Sequence, residues 1–295
     1  MSESPTTATI GFVGLGHMGG PMVRRLVEAG YRVQVFDVAP EARASAVTAG
    51  ATDAEDLAAA ARGADAVILM LPNSQVVASV LGDDGMVEAL AAGTIVIDMS
   101  SSEPFKTREL ARELASVGVQ LVDAPVSGGV TGAQSGKLTI MVGGSEVDVK
   151  RIWPVLEKLG KPVHTGPVGS GHAVKALNNL LSATHLWATS EAMVAGQKFG
   201  LDPEVMLAVF NGSSGRSGST ENKWPNFILP GTFNSGFGLR LMLKDMKIAV
   251  QLAEQSGAPS ELGANAVALW ERAAEYLSPQ ADHTEVAEWI SSRPH

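Results

Sequence analysis

Residues that could hold a dinucleotide lie close to the start of the chain. The run Gly14-Leu15-Gly16-His17-Met18-Gly19 has the glycine spacing of a pyrophosphate-binding loop. An apolar run at residues 8–13 precedes it, and residues 22–27 form a predicted helix after it. Glycines let the backbone turn tightly against phosphates, and a helix N-terminus offers them N–H groups. Glycine spacing alone is a weak signal, but this strand–loop–helix context favours a nucleotide loop over a plain turn.

A carboxylate, Asp37, follows the next predicted strand at residues 31–36. It can accept hydrogen bonds from the ribose hydroxyls of adenosine and would repel the extra phosphate of NADP. Such a charge pair costs about 4 kcal/mol at about 4 Å with an effective dielectric of about 20. No arginine follows directly at residues 38–40 to offset that cost. The sequence therefore predicts NAD as the cofactor without excluding NADP, the alternative being a solvated acid at a strand end.

Three later segments carry groups suited to a small carboxylic acid and its proton. The run Ser127-Gly128-Gly129 offers a hydroxyl and accessible N–H groups, although on the residues alone a plain turn between strands explains it better. Lys175 and Asn179 are four residues apart and share a helix face. That lysine could be a surface residue or a buried functional one, and the residues alone favour the surface interpretation. Lys244 precedes an aspartate on another predicted helix, a pairing that is usually a solvated surface.

These residues require a scaffold, and the first half of the chain predicts one. Further buried strands are expected at residues 66–71, 94–98, 119–123 and 138–142, with helices at residues 53–62 and 105–115. Repeated strand–helix units of this kind form a mostly parallel, doubly wound α/β sheet. The ligand crevice of such a sheet lies beyond the carboxyl ends of its strands. The candidate residues that follow predicted strands should therefore line one edge, among them Asp37, Leu71, Pro72, Ser101 and Ser127.

The second half of the chain changes to helices. Residues 171–199 contain no proline and repeat apolar residues at helical spacing, which predicts one long helix. Further helices are expected at residues 203–210, 239–255, 263–276 and 284–290. We therefore predict a dinucleotide-binding domain at residues 1–166 and an all-α domain at residues 167–295 for substrate binding and oligomerisation. Because a small domain can hardly bury so long an apolar helix alone, we expect it to pack against a second subunit.

Composition restricts the remaining classes of function. The net charge of −9 argues against a nucleic-acid partner. The chain has no cysteine, which removes thiolate and zinc–sulfur chemistry and agrees with a reducing compartment such as the cytoplasm. The N-terminal residues are polar and do not form a signal peptide, and the apolar runs are too short to span a bilayer. The six histidines show no metal-ligand spacing, so we predict no metal site.

Taken in order, these motifs resemble the β-hydroxyacid dehydrogenase family. The matching segments run from about residue 9 to about residue 253, most of the chain. The resemblance implies a Rossmann domain joined by a long helix to an all-α domain, in dimers or tetramers. It makes Lys175 the catalytic lysine and Asn179 a residue that holds the substrate. It assigns the substrate carboxylate to Ser127, Gly128 and Gly129, closure over cofactor and substrate to Lys244, and cofactor contacts to Leu71, Pro72 and Ser101.

The implied activity is NAD-dependent oxidation of a small β-hydroxy acid to its semialdehyde, with Lys175 as general acid or base. Reduction of a tartronate-semialdehyde type of substrate shares every motif and stays open, as does a non-catalytic protein that binds NAD(P). The family often has threonine at the position of Ser101, and serine keeps the hydroxyl. Arg240 is not expected from the family. Together with Arg216 it is a candidate to hold a second anionic group, the favoured alternative being that both are surface cations.

Overall fold

The computed structural model describes residues 8–82 and 85–292. The chain divides into two compact units, Met1–Lys175 and Ala176–His295. One helix, Ser170–Phe199, begins in the first unit and ends in the second. The unit boundary thus falls inside the helix that the prediction had assigned whole to the second domain.

Within the described residues, the first unit is built on one sheet of nine strands. They are β1 (Thr9–Val13), β2 (Arg32–Phe36), β3 (Thr52–Asp53), β4 (Ala66–Leu69), β5 (Ile95–Asp98), β6 (Gln120–Asp123), β7 (Val126–Ser127), β8 (Leu138–Gly143) and β9 (Gly160–Gly166). The order β3-β2-β1-β4-β5-β6 is parallel throughout, whereas β8 runs antiparallel to β6 and β7 and parallel to β9. This is the doubly wound order of a Rossmann sheet, with its switch point beside β1.

Helices cover the sheet, and every residue of the central strands β1, β4 and β5 is buried. Burial on both faces explains why these strands are continuous apolar runs without alternation. The covering helices are α1 (Gly19–Glu28), α2 (Pro40–Thr48), α3 (Leu57–Ala61), α4 (Ser74–Leu81), α5 (Met86–Ala89), α6 (Pro104–Ser116), α7 (Gly129–Ser135) and α8 (Glu146–Leu159). The mostly parallel, doubly wound fold predicted from the sequence is confirmed.

Two local predictions in this unit need correction. Residues 53–62 were expected as one helix, but they begin in β3 and the helix α3 starts only after Asp56. The Asp56 side chain accepts a hydrogen bond from Ala59 N at 2.7 Å, which caps the helix there. The strand series also continues past residue 142 to β9, an edge strand that contains Pro162. Its mixed exposure leaves no apolar run to recognise, and proline is tolerated at an edge.

The second unit is helical in the residues that the structure describes. The long helix α9 (Ser170–Phe199) leads into it. There follow α10 (Pro203–Asn211), a π-helix (Ser219–Ile228), α11 (Leu239–Gln255), α12 (Glu261–Tyr276), a 3₁₀ turn (His283–Glu285) and α13 (Val286–Ser292). Three tryptophans, Trp187, Trp270 and Trp289, pack in its core with ring centroids 5.8 and 6.3 Å apart. No helix among the described residues is long and apolar enough to cross a membrane.

Candidate active site

The glycine loop lies at the switch point of the sheet, between β1 and α1. Gly14 adopts φ +95° and donates a hydrogen bond to Phe36 O at 3.1 Å, which ties the loop to β2. A Cβ at Gly19 would overlap the carbonyl oxygen of Gly14, so only glycine lets the helix start this close to the loop. A Cβ at Gly16 would meet nothing within 4 Å. The loop is therefore tight on the protein side and open at its tip, the shape that a pyrophosphate requires.

The remaining residues of this loop complete a dinucleotide cradle. Leu15 is buried, His17 is exposed, and Met18 precedes the first turn of α1, which contains no acidic residue. Asp37 follows β2 and accepts hydrogen bonds from Leu15 N at 2.6 Å and from Ala39 N at 2.8 Å. A carboxylate has about four lone-pair sites, so Asp37 keeps acceptor capacity for ribose hydroxyls. These residues fit NAD(P).

The carboxyl ends of β4 and β5 lie side by side at the same edge of the sheet. Leu71 and the exposed Pro72 follow β4, and the half-buried Ser101 follows β5. Leu71 N donates to Ser100 Oγ at 2.9 Å, so the two strand ends are joined directly. The structure therefore brings three of the predicted cofactor contacts to one edge of the first unit.

A buried polar network follows β5, and sequence reasoning missed it. Asp98 ends the strand and accepts hydrogen bonds from Ser100 N at 2.9 Å and Ser102 Oγ at 2.8 Å. The Nε2 atom of His172, on the first turn of α9, lies 3.1 Å from Ser100 O and 3.7 Å from Asp98 Oδ2. Because a carbonyl oxygen only accepts, Nε2 carries a proton. Nδ1 lies 2.8 Å from Thr107 Oγ1 on α6, so both ring nitrogens of His172 are held.

Asp123, at the end of β6, anchors the start of α9. Its side chain is fully buried and accepts from Gly169 N at 2.6 Å and from His172 N at 2.8 Å. These are backbone N–H groups at the beginning of a helix, where no partner exists within the helix itself. Burial raises the pKa of Asp123, although His172 and the two N–H bonds act in the opposite direction. The carboxylate thus holds α9 one turn before Lys175.

The segment predicted to bind a carboxylate lies at an end of the sheet. Ser127 closes β7, opposite Thr139 of β8, and Gly129 begins the short helix α7. Gly128 and Gly129 have φ values of +129° and +60°, a backbone that favours glycine. Ser127 is half-buried and Gly128 is exposed. The hydroxyl and the first N–H groups of α7 are therefore placed on the surface of the first unit.

Lys175 and Asn179 lie one turn apart on α9, as the sequence predicted. Lys175 is only 7% exposed and Asn179 only 5% exposed, so neither is a solvated surface residue. Asn179 Nδ2 donates to Asp245 Oδ2 at 2.7 Å, and Asp245 is itself buried on α11. Lysine is almost never fully buried unless its charge is paired. The burial of Lys175 therefore favours the functional interpretation of this lysine over the surface one.

Asp245 is another residue to which the sequence reasoning assigned no role. Its Oδ1 lies 3.2 Å from Lys244 Nζ, outside hydrogen-bonding geometry, while Oδ2 orients the amide of Asn179. Helical spacing could have predicted that Asp245 is buried, because it falls on the same helix face as the buried Met242 and Ala249. Lys244 remains partly exposed, with 28% of its side chain accessible. In the second unit Asn179, Lys244 and Asp245 thus form one polar cluster.

The two extra arginines have other partners. Arg216 is 64% exposed and forms an ion pair with Glu221 at 2.7 Å. Arg240 donates to Ser278 O at 2.6 Å and to Ala274 O at 2.7 Å, carbonyls at and after the C-terminus of α12. Cations stabilise helix C-termini. These contacts favour a surface role for both arginines over the binding of an anionic group.

Comparison with known proteins agrees with this geometry. Residues 9–169 match the family model for the NAD binding domain of 6-phosphogluconate dehydrogenase, and residues 169–290 match that for the NAD-binding of NADP-dependent 3-hydroxyisobutyrate dehydrogenase. The chain is 41% identical to 2-(hydroxymethyl)glutarate dehydrogenase of Eubacterium barkeri, over 89% of this chain and 88% of that protein. It is also 41% identical to 3-hydroxyisobutyrate dehydrogenase of Pseudomonas aeruginosa, over 86% and 88% of the two chains.

A solved structure extends the match. The 3-hydroxyisobutyrate dehydrogenase of Mycobacterium tuberculosis with L-serine superposes with a TM-score of 0.90 at 34% identity, covering 97% of this chain and 100% of that one. Both family models, both relatives and this structure agree with the glycine loop, the doubly wound sheet and the helical second unit. The chain therefore belongs to the β-hydroxyacid dehydrogenase family and is an NAD(P)-dependent oxidoreductase.

Proposed function

We propose that the protein oxidises a small β-hydroxy acid, of the 3-hydroxyisobutyrate type, to its semialdehyde with NAD. The observation that carries this proposal is the buried pair Lys175 and Asn179, one turn apart on α9. This burial contradicts the alternative of a solvated surface lysine. The relatives named above support the class of substrate, since each is a dehydrogenase of a small hydroxy acid.

Lys175 is proposed as the general acid and base. The bound nicotinamide supplies the acceptor for the hydride that leaves the carbinol carbon. Lys175 takes the hydroxyl proton in oxidation and returns it in reduction, and its charged form stabilises a developing alkoxide. Asn179, oriented by Asp245, holds the substrate hydroxyl or carboxylate without taking a proton. Ser127, Gly128 and Gly129 are proposed to bind the substrate carboxylate, and Lys244 to contact substrate and cofactor.

Asp37 is proposed to select NAD over NADP. Replacing it with alanine should raise kcat/KM for NADP relative to NAD by roughly 10- to 100-fold, because the repulsion of the extra phosphate disappears. Steady-state rates with both cofactors at one hydroxy acid concentration measure the ratio. Glu41, near the start of the neighbouring helix α2, provides a matched acidic control. An unchanged ratio in the Asp37 variant, or a wild-type preference for NADP, would contradict the assignment.

Reduction of a small semialdehyde is the alternative, since it uses the same residues in reverse. The relatives include an NAD-dependent L-serine dehydrogenase of Pseudomonas aeruginosa, 39% identical over 88% of this chain, so several acids deserve testing. Initial rates of NADH formation with 3-hydroxyisobutyrate, 2-(hydroxymethyl)glutarate, L-serine and glycerate test the proposal. Rates of NADH oxidation with the matching semialdehydes test the reverse. No turnover in either direction would contradict an enzymatic function.

A homo-oligomer is proposed from the surface of α9. Val174, Leu177 and Leu181 recur at helical spacing and are 40%, 43% and 59% exposed. Apolar residues in such a stripe are typical of a subunit interface. Size-exclusion chromatography with light scattering should give a dimer or tetramer, and a stable monomer would contradict this. The proposed compartment is the cytoplasm, since the chain has no cysteine for disulfides.

A further inference from the structure

A third lysine, Lys223, lies beside the helix that carries Lys175 and Asn179. Its Nζ donates a hydrogen bond to Ser182 Oγ at 2.7 Å. Ser182 follows Asn179 by three residues on α9, so the two side chains share a helix face. Lys175, Asn179 and Ser182 span about 10 Å along that face at about 1.5 Å rise per residue. The Lys223 ammonium therefore lies about one helical turn beyond the amide of Asn179.

Lys223 comes from an unusual element. It lies in the π-helix Ser219–Ile228, which contains Pro225. Extended π-helical backbone is rare and occurs frequently at functional sites. An ammonium has three donors, and Ser182 uses one of them. Lys223 forms no ion pair with any residue that the structure describes.

The carboxylate that acts on Lys223 electrostatically, Asp282, is already used by other donors. It accepts from Ser235 Oγ at 2.8 Å and from Thr284 Oγ1 at 2.6 Å, together with backbone N–H groups that follow Ser235. Burial alone would raise the pKa of Asp282, but these bonds and that of His283 hold it well below its usual range. Asp282 is therefore a saturated acceptor that only partly compensates the nearby cation.

Burial lowers the pKa of Lys223 to about 8, and the Asp282 charge opposes this shift only in part. At pH 7, below this value, the charged form of Lys223 still predominates. Burial likewise lowers the pKa of the neighbouring His283, so that this ring is mainly neutral and adds no competing charge. The charge of this half-buried cation is only partly balanced by Asp282. An anion that binds beside it therefore stabilises it.

We propose that Lys223 binds a second anionic group of the substrate, so that β-hydroxy acids with a second carboxylate are preferred to monocarboxylates. The proposal rests on the dehydrogenase function proposed above. It gives Lys223 the role for which Arg216 and Arg240 were candidates from the sequence. The alternative is that Lys223 only ties the π-helix to α9 through Ser182, in which case its loss would affect all substrates equally.

The test compares 2-(hydroxymethyl)glutarate with 3-hydroxyisobutyrate in wild type, Lys223→Met and Lys223→Gln. Glutamine keeps a donor for Ser182 but removes the charge. We expect both variants to lower kcat/KM for the dicarboxylate by about 10- to 100-fold, the range of a lost charge-assisted hydrogen bond, and to change that for the monocarboxylate by less than about threefold. Lys247→Met is the matched control, because Lys247 is an exposed lysine that pairs with Glu271.

Two further readouts keep the inference separate from the proposed function. In wild type, kcat/KM for the dicarboxylate divided by kcat/KM for the monocarboxylate should fall as pH rises through about 8. The reason is that Lys223 loses its charge there. Effects of pH that act on both substrates equally cancel in this ratio. Binding of glutarate to the NADH complex, followed by nicotinamide fluorescence, should weaken at least about tenfold in both variants, while binding of butyrate should not.

Each result is decisive. Equal losses for both substrates, or a ratio independent of pH, would overturn the role of Lys223 and leave the dehydrogenase function intact. If wild type oxidises only the monocarboxylate, the role of Lys223 is also overturned and the dehydrogenase function is kept. If neither acid is oxidised, the proposed function fails; unchanged glutarate binding in the variants would then overturn the anion site as well.

Discussion

Replacing Lys175 with methionine is expected to lower kcat/KM for the hydroxy acid by about a thousandfold or more, while the Kd for NADH changes little. Positioned proton transfer contributes about 10²–10⁴ to a rate, and loss of a cation beside a developing alkoxide adds to this. Methionine fills a volume similar to that of the lysine stem, so the buried position should keep its packing. The catalytic loss should therefore appear without unfolding.

Steady-state NADH formation and fluorescence titration of NADH measure the two quantities. Lys198→Met is a suitable control, because Lys198 lies in the last turn of the same helix and is exposed. Lys175→Arg keeps a cation but replaces an amine that exchanges protons with a guanidinium that does not. It should also lose most activity. Near-normal turnover in either Lys175 variant would remove the proposed mechanism.

The nucleotide loop and the shared helix face of Lys175 and Asn179 could be predicted because their signals are local. Gly14, Gly19 and Asp37 act within one strand–helix–strand unit, and Lys175 and Asn179 are one turn apart on one helix. Local patterns of this kind are visible in a single sequence because spacing and geometry correspond directly. The roles of Lys175, Asn179, Ser127–Gly129 and Lys244 came from the family resemblance, since the residues alone favoured a surface lysine, a plain turn and a solvated face.

The groups that orient these residues could not be predicted. Asp123 and His172 are 49 residues apart, and Asn179 and Asp245 are 66 residues apart. Nothing in the spacing of such residues shows that the fold brings them together. The pairing of Lys223 with Ser182 crosses 41 residues in the same way. Sequence reasoning therefore found the residues proposed for chemistry but not the residues that hold them.

The edge of the sheet was harder to predict than its centre for a related reason. Central strands are buried on both faces and so are apolar throughout, whereas the residues of β9 are all half-buried or exposed and include a proline. The helix α2 was also missed, because its residues form almost no apolar stripe and only Ala46 is buried. Both elements cover or extend the sheet and carry no candidate site residue.

Replacing Asp123 with alanine is expected to destabilise the protein by about 3 kcal/mol and to reduce kcat. The change leaves two buried N–H groups, of Gly169 and His172, without their acceptor, and each unsatisfied group costs about 1–3 kcal/mol. Loss of the anchor also frees the first turn of α9, which positions Lys175. Denaturant unfolding and steady-state kinetics measure the two effects.

Asparagine at position 123 separates anchoring from folding. Asparagine keeps the side-chain volume, but its NH₂ group replaces one carboxylate oxygen and faces a backbone N–H group of α9. We expect this to lower the free energy of unfolding by about 1–2 kcal/mol. We expect kcat to fall about tenfold while KM for NAD stays within about twofold, since the glycine loop and Asp37 are untouched. Asp148→Asn is a control, because this aspartate lies on the surface helix α8. A normal kcat in folded Asp123→Asn would exclude a positioning role.

The stability difference between wild type and Asp123→Asn should depend on pH, and the pKa shift of Asp123 gives the sign of that dependence. Because burial raises the pKa of Asp123, the native protein takes up this proton before the unfolded chain does as pH falls. Ionisation of Asp123 therefore costs stability as pH rises from the unfolded value, about 3.9, through the higher folded value. Asparagine lacks this cost, and all other groups cancel in the comparison. The free energy of unfolding of wild type minus that of Asp123→Asn should thus increase in urea unfolding as pH falls from 7 toward the unfolded value of about 3.9. A difference that narrows would show that the two N–H bonds outweigh burial.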